Sequence, residues 1–292
     1  HLMQITHVLR SSEWLPTFPL HALVVRAFGW DEPVWVHLSI FLSPTGKGKM
    51  SKRHAVDAKG GALSIYPLDL RDLGYLPEGV LNWLALMGWS YDDHTEVFTL
   101  PELVERFALE RLSPSPAAVN FSKLDHFNGI HLRALPPEEL ARRLAPVFGQ
   151  AGLTADEVRL TRIVPLLQER IRTLDEAVDM AGFFFREAAV VDAAAPRIGA
   201  RSAAGSAELF DRAQTTVAAV AEWQAAEIER PLRALAEAEG LSAGQLFGAL
   251  RMAVTGQAVS PPLFETMEIV GRPACLARLQ SASQTLRSAS SA

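Results

Sequence analysis

The chain has a single cysteine, Cys275, in 292 residues, which excludes an internal disulfide and any cysteine-rich metal site. That usage fits a reducing cytoplasm. No apolar run is long enough to span a bilayer and no signal peptide is evident, so no membrane partner is expected. There is no basic excess either. The formal charge is −5, which argues mildly against nucleic-acid binding through overall charge and leaves the question to charge distribution. No internal repeat of fixed period is present. No initiator methionine opens the chain: His1 to Leu9 begins like the middle of a buried strand, which predicts a piece of a longer protein.

What is present is a globular composition, 49% hydrophobic, over a length that suits two domains. Arginines gather at Arg142, Arg143, Arg159, Arg162, Arg170 and Arg172, and acids between Glu222 and Glu239. Up to about residue 130 the pattern is mixed. Leu2 to Leu9 and Val34 to Leu42 are apolar and strand-compatible, and Pro19 to Phe28 carries Leu20, Leu23, Val24 and Ala27 on one helical face. Pro77 starts another helix, Thr99-Leu-Pro-Glu102 is a capping box, and a short helix is expected to end at Gly129. From Pro136 onward helix start and stop signals recur to about Leu286, which predicts a helical bundle or superhelix.

The stretch that carries chemistry is the loop from Ser43 to His54. Proline, two glycines and small polar residues keep it out of helix or strand, and it holds Lys47, Lys49, Lys52 and Arg53. Clustered cations on such a loop suit a polyphosphate, following charge as it moves onto a leaving pyrophosphate. A solvated basic loop is the plainer alternative. Just after the first strand, Arg10 could hold a carboxylate by a bidentate fork, Glu13 could accept from ribose hydroxyls, and Trp14 could cover an apolar flank. On residue types alone, a surface ion pair for Arg10 and core packing for Trp14 are the simpler readings. Asn120, Lys123 and His126 are not spaced as an acid and base pair, and point to a structural or nucleic-acid-facing role.

Lys49-Met50-Ser51-Lys52-Arg53 is similar to the second signature of class I aminoacyl-tRNA synthetases. With Arg10-Ser-Ser-Glu13-Trp14, the stretch from Gly74 to Trp89 and the stretch from Leu112 to Gly129, the chain resembles the bacterial glutamyl-tRNA synthetases over nearly its whole length. The resemblance implies an α/β remnant of a Rossmann-type catalytic domain plus a stem-contact domain, followed by an all-α anticodon-binding domain. The expected boundaries are 1–45 for the catalytic remnant, 46–130 for the basic loop and stem-contact domain, 131–287 for the anticodon domain, and 288–292 for a disordered tail.

The resemblance implies a glutamate–tRNA ligase that uses ATP with Mg2+, takes L-glutamate and tRNA(Glu) as substrates, and is a monomer. Lys49, Ser51, Lys52 and Arg53 would serve the phosphates. Glu13, Trp14, Met50 and Lys52 would bind ATP, and Arg10 would bind glutamate. Arg170, Arg251, Ser260, Pro261 and Leu263 would face the anticodon, whose unstacked bases suit guanidinium planes and apolar side chains. On residue types alone, Arg251 could equally be solvated and Leu263 equally core. The family's first signature, a His-x-Gly-His type turn, is absent, which implies a partial enzyme. Two alternatives stay open: a non-catalytic tRNA-binding module, and an enzyme that also charges tRNA(Gln).

Overall fold

The computed structural model describes residues 1–50, 66–186 and 196–290. They form two compact units, His1–Ala134 and Leu135–Ala292.

In the first unit, β1 (His7–Ser11) and β2 (Val34–Leu38) pair in parallel, and α1 (Phe18–Ala27) supplies the crossover that parallel strands require. The register sets Val8 beside Trp35 and Arg10 beside His37, so these four side chains share a face. The strand expected over Leu2 to Leu9 starts later, because β2 offers its first partner at His7. The strand expected over Val34 to Leu42 is also divided. After β2 the chain changes partner, and β3 (Phe41–Leu42) pairs in parallel with β4 (Ala117–Ala118).

Behind this lie α2 (Pro67–Asp72), α3 (Pro77–Ala85), α4 (Leu100–Arg106) and α5 (Phe121–Ala134). The capping box at Thr99 forms as its sequence expects, with both reciprocal bonds to Glu102. α5 does not stop at Gly129. Its buried stripe of Phe121, Leu124, Phe127, His131 and Leu132 runs straight past that glycine. Burying one such apolar side chain is worth about 1.5–3 kcal/mol, more than the roughly 1 kcal/mol a helical glycine costs. A polar brace ties the helices together. Asn82 Nδ2 donates to the Glu96 carbonyl at 2.7 Å, while its Oδ1 accepts from the Phe98 amide at 3.0 Å and from His131 Nε2 at 3.1 Å.

The second unit is helical: α6 (Pro137–Gln150), α7 (Glu157–Leu167), α8 (Glu176–Ala181), α9 (Ala203–Ala218), α10 (Ala225–Ala238), α11 (Ala243–Thr255), α12 (Leu263–Val270) and α13 (Arg272–Ser290). α13 continues through Ser290, where a disordered tail from Ser288 was expected. It lies against α9, burying Leu279, Ala282 and Leu286 with Leu209, Phe210 and Val217. Arg278 on α13 is buried, with no carboxylate partner among the described residues. Its guanidinium donates to the backbone carbonyls of Val254, Phe183 and Arg186, at 2.7, 3.0 and 3.1 Å, and so binds three segments together.

Candidate nucleotide and amino-acid site

The carboxyl ends of parallel strands are where open α/β sheets gather ligand contacts. Arg10 and Ser11 end β1, and a 3₁₀ turn over Ser12–Thr17 follows with Glu13 and Trp14 exposed on it. Trp14 is 52% exposed, so it is not a core residue here, and its only ring neighbour among the described residues is His21.

The basic loop begins on β3 and is internally braced. Ser43 accepts the Gly46 amide at its carbonyl (2.8 Å), and its Oγ donates to the Lys47 carbonyl at 2.7 Å. Pro44 suits the second position of this turn, and Gly46 and Gly48 hold φ values of +72° and +75° that other residues resist. The chain then closes back as the Ser43 amide donates to the Gly48 carbonyl and the Met50 amide to that of Phe41, at 2.9 and 2.8 Å.

This return path delivers Lys49 to Glu13. Lys49 Nζ donates to both Glu13 carboxylate oxygens at 2.7 Å. The Lys49 hydrogen bond lowers the Glu13 carboxyl from its ordinary value, against the opposing effect of desolvation. The pair is therefore kept at neutral pH and given up only on acidification. Met50, expected at the nucleotide, is 7% exposed and packs in the core with Leu70, Trp83 and Phe127. Ser51, Lys52 and Arg53 lie outside the described residues.

Arg10 has no carboxylate partner among the described residues. Its Nε donates to His37 Nε2 at 3.1 Å and its Nη1 to His21 Nδ1 at 2.7 Å. The guanidinium carbon lies 5.0 Å from the Trp35 ring centroid and 5.9 Å from that of Phe18. Nη2 is buried and has no acceptor. Neither histidine is singled out by the sequence. Their convergence depends on strand register and the crossover, which residue types do not reveal. Among the described residues, no group of three His, Cys, Asp or Glu side chains could hold a metal.

In the helical unit, Arg170, Arg172, Glu176, Asp179, Met180, Gln257 and Val259 line a cleft of about 300 Å3. Arg170 is exposed, and Val259 is 78% exposed. Gln257 donates from Nε2 to the Asp179 carbonyl, while its Oε1 is buried without a partner. Ser260, Pro261 and Leu263 turn inward. Ser260 Oγ donates to the Pro261 carbonyl and Leu263 is 4% exposed, so these residues shape the segment that presents Val259. Arg251, half-buried on α11 with an unpartnered Nε, does not line this cleft. Gln257 and Val259 carry no motif that the sequence alone would flag.

The family described as tRNA synthetases class I (E and Q), catalytic domain, matches residues 1–126, and the anticodon binding domain family matches residues 139–283. A glutamate–tRNA ligase of Herpetosiphon aurantiacus is 42% identical over 99% of this chain and 58% of its own length. One of a Roseiflexus species is 42% identical over 98% of this chain and 56% of its own. The crystal structure of a glutamate tRNA ligase from Elizabethkingia meningosepticum, in complex with its amino acid, superimposes with a TM-score of 0.79 at 28% identity. It covers 97% of this chain and 58% of that one. The chain thus spans less than three fifths of the length of the curated relatives it matches. Across that span it belongs to the class I glutamate and glutamine tRNA synthetase family, with catalytic-domain residues followed by an anticodon-binding domain.

Proposed function

We propose that this chain works in the ATP-dependent attachment of glutamate to tRNA(Glu). The observation that carries the reading is the meeting of Glu13 with Lys49, which joins the two stretches expected at the nucleotide. In this reading a glutamate carboxylate rests on Arg10. The α-carboxylate oxygen attacks the α-phosphorus of ATP, the bond to the β-phosphate oxygen breaks, and pyrophosphate leaves. Lys49 and Lys52 follow the departing charge, Ser51 shapes the loop and Arg53 anchors it. Glu13 accepts from ribose hydroxyls and Trp14 flanks the nucleotide. The terminal ribose hydroxyl of the tRNA then attacks the acyl carbon and AMP departs. Positioning and electrostatics do the work, with no protein nucleophile. Mg2+ would come with the phosphates and neutralise their charge.

On the tRNA side, Arg170 offers hydrogen bonds to a splayed base edge, and Val259 offers an apolar surface. Ser260, Pro261 and Leu263 act through the path of that segment. Arg251 makes a separate contact.

The test is binding of tRNA(Glu) at stated salt, beside the same tRNA with the third anticodon base changed. Weaker binding of the altered tRNA supports the reading. Equal binding leaves only phosphate electrostatics and removes the anticodon assignments. A second reading is a tRNA-binding module that makes no adenylate. Pyrophosphate exchange by this chain alone would exclude it.

A further inference from the structure

We propose that His21 and His37 are positioning residues that clamp Arg10 for an incoming carboxylate, each locked in a different neutral tautomer; this deepens the reading of Arg10 above and rests on it. The argument is hydrogen-bond accounting. A guanidinium has five N–H donors and no acceptor, so in both contacts Arg10 donates and the histidine nitrogen accepts. His37 accepts at Nε2 and therefore carries its proton on Nδ1. His21 accepts at Nδ1 and therefore carries its proton on Nε2.

Consecutive segments of one βαβ unit supply the three groups: Arg10 from β1, His21 from α1 and His37 from β2. The strand register fixes the Arg10–His37 bond, since the two residues are direct partners in the ladder. The guanidinium lies over the Phe18 and Trp35 rings, and Phe18 also stands edge-on to His37 at 5.4 Å. The other ionisable groups on these elements are engaged elsewhere. Glu13 holds Lys49, Arg26 holds Glu32, and His7 meets the Thr6 hydroxyl. No carboxylate among the described residues neutralises Arg10.

The consequence is directional. With Nε occupied by His37 and one N–H of Nη1 by His21, the free donors are those of Nη2 and the second N–H of Nη1. A carboxylate is therefore directed away from the Nε side of the guanidinium, which His37 occupies. Neutral imidazoles hold the cation still without cancelling its charge, whereas a carboxylate at either position would compete with the substrate.

The test uses the 292-residue chain with 15N-labelled histidine and arginine, by NMR at pH 7.5. Long-range correlations should give His37 as the Nδ1–H tautomer and His21 as the Nε2–H tautomer, with a protected Arg10 Nε–H signal. Opposite tautomers, or a charged ring on either residue, would overturn the clamp. A second arm uses amide mimics: glutamine extends its oxygen as far as Nε2, and asparagine as far as Nδ1. His37→Gln and His21→Asn should keep the Arg10 signal and its shift on adding L-glutamate. His37→Asn and His21→Gln should weaken that response at least about tenfold, as expected for a lost hydrogen bond to a charged group. A uniform loss in all four variants would mean that the histidines serve folding only. Correct tautomers with no glutamate response in the unmodified chain would leave the clamp standing and overturn the carboxylate role of Arg10.

Discussion

Lys49 and Glu13 are 36 residues apart in sequence, yet one ammonium spans both oxygens of one carboxylate at 2.7 Å. Both side chains are half-exposed, so the pair adds little to stability. In the proposed function, nucleotide binding exchanges this pair, with Glu13 passing to a ribose and Lys49 to phosphate. Glu13→Gln should therefore act in opposite senses on the two halves of the ligand. Pyrophosphate should bind about two- to fivefold more tightly, the size of an exposed ion pair released, while adenosine should bind more weakly. Calorimetric titration with each ligand reads the two effects. A parallel change in both would separate Glu13 from the nucleotide.

Gly79 of α3 faces Asn128 of α5 at close range. A Cβ at residue 79 would fall 2.5 Å from Asn128 Oδ1 and 2.8 Å from its Cα. The second contact is with backbone, which cannot swing aside. Gly79→Ala should destabilise the first unit by about 1–3 kcal/mol, the usual cost of overpacking. Asn128→Ala should not rescue it, since the Cα clash stays and the Leu76 amide loses its 2.8 Å acceptor. Urea unfolding of the single and double variants checks this.

Burial pushes the His131 imidazole below its ordinary value of 6.5, with the Glu78 charge opposing. The unfolded chain then takes up the proton first, so the stabilisation is complete above about pH 6.5 and is lost as pH falls through the lower folded value. The urea midpoint of the first unit should fall between pH 7.5 and 5.5. His131→Gln, which keeps a donor for Asn82 Oδ1 without the titration, should give a shallower slope. Identical slopes would assign the dependence to other groups.

Arg170→Ala should weaken tRNA(Glu) binding by about 1–3 kcal/mol, taking the value of a bidentate base contact as a guide. The loss should disappear on a tRNA whose third anticodon base is altered. Val259→Asp should weaken both, because it brings an acid into the cleft. Filter binding at fixed salt measures all four combinations.

The sequence made the elements with local causes legible. The Thr99 capping box, the proline that opens α3 and the left-handed Gly256 that closes α11 each follow from adjacent residues. What it hid was decided at a distance. The division of Val34 to Leu42 into two strands depends on β4, far along the chain. The passage of α5 through Gly129 depends on a buried face that outweighs a weak local preference. At the site, the arginine, the acid and the lysine could be named through the family resemblance, whereas residue types alone left a surface ion pair and a solvated loop open. The two histidines could not, since neither a strand histidine (His37) nor a crossover-helix histidine (His21) has meaning until the residue it meets is known.

One step of the backbone separates Lys49, in solvent, from Met50, in the core. That alternation works as a reading frame for the loop. Inserting or deleting a single residue between Gly48 and Met50 would send the ammonium inward and the thioether outward, exchanging cation and anchor in one stroke. Length changes at the outer turn, from Pro44 to Lys47, leave that phase intact. Loop variants of this protein should therefore tolerate lengthening at the tip and none at the return.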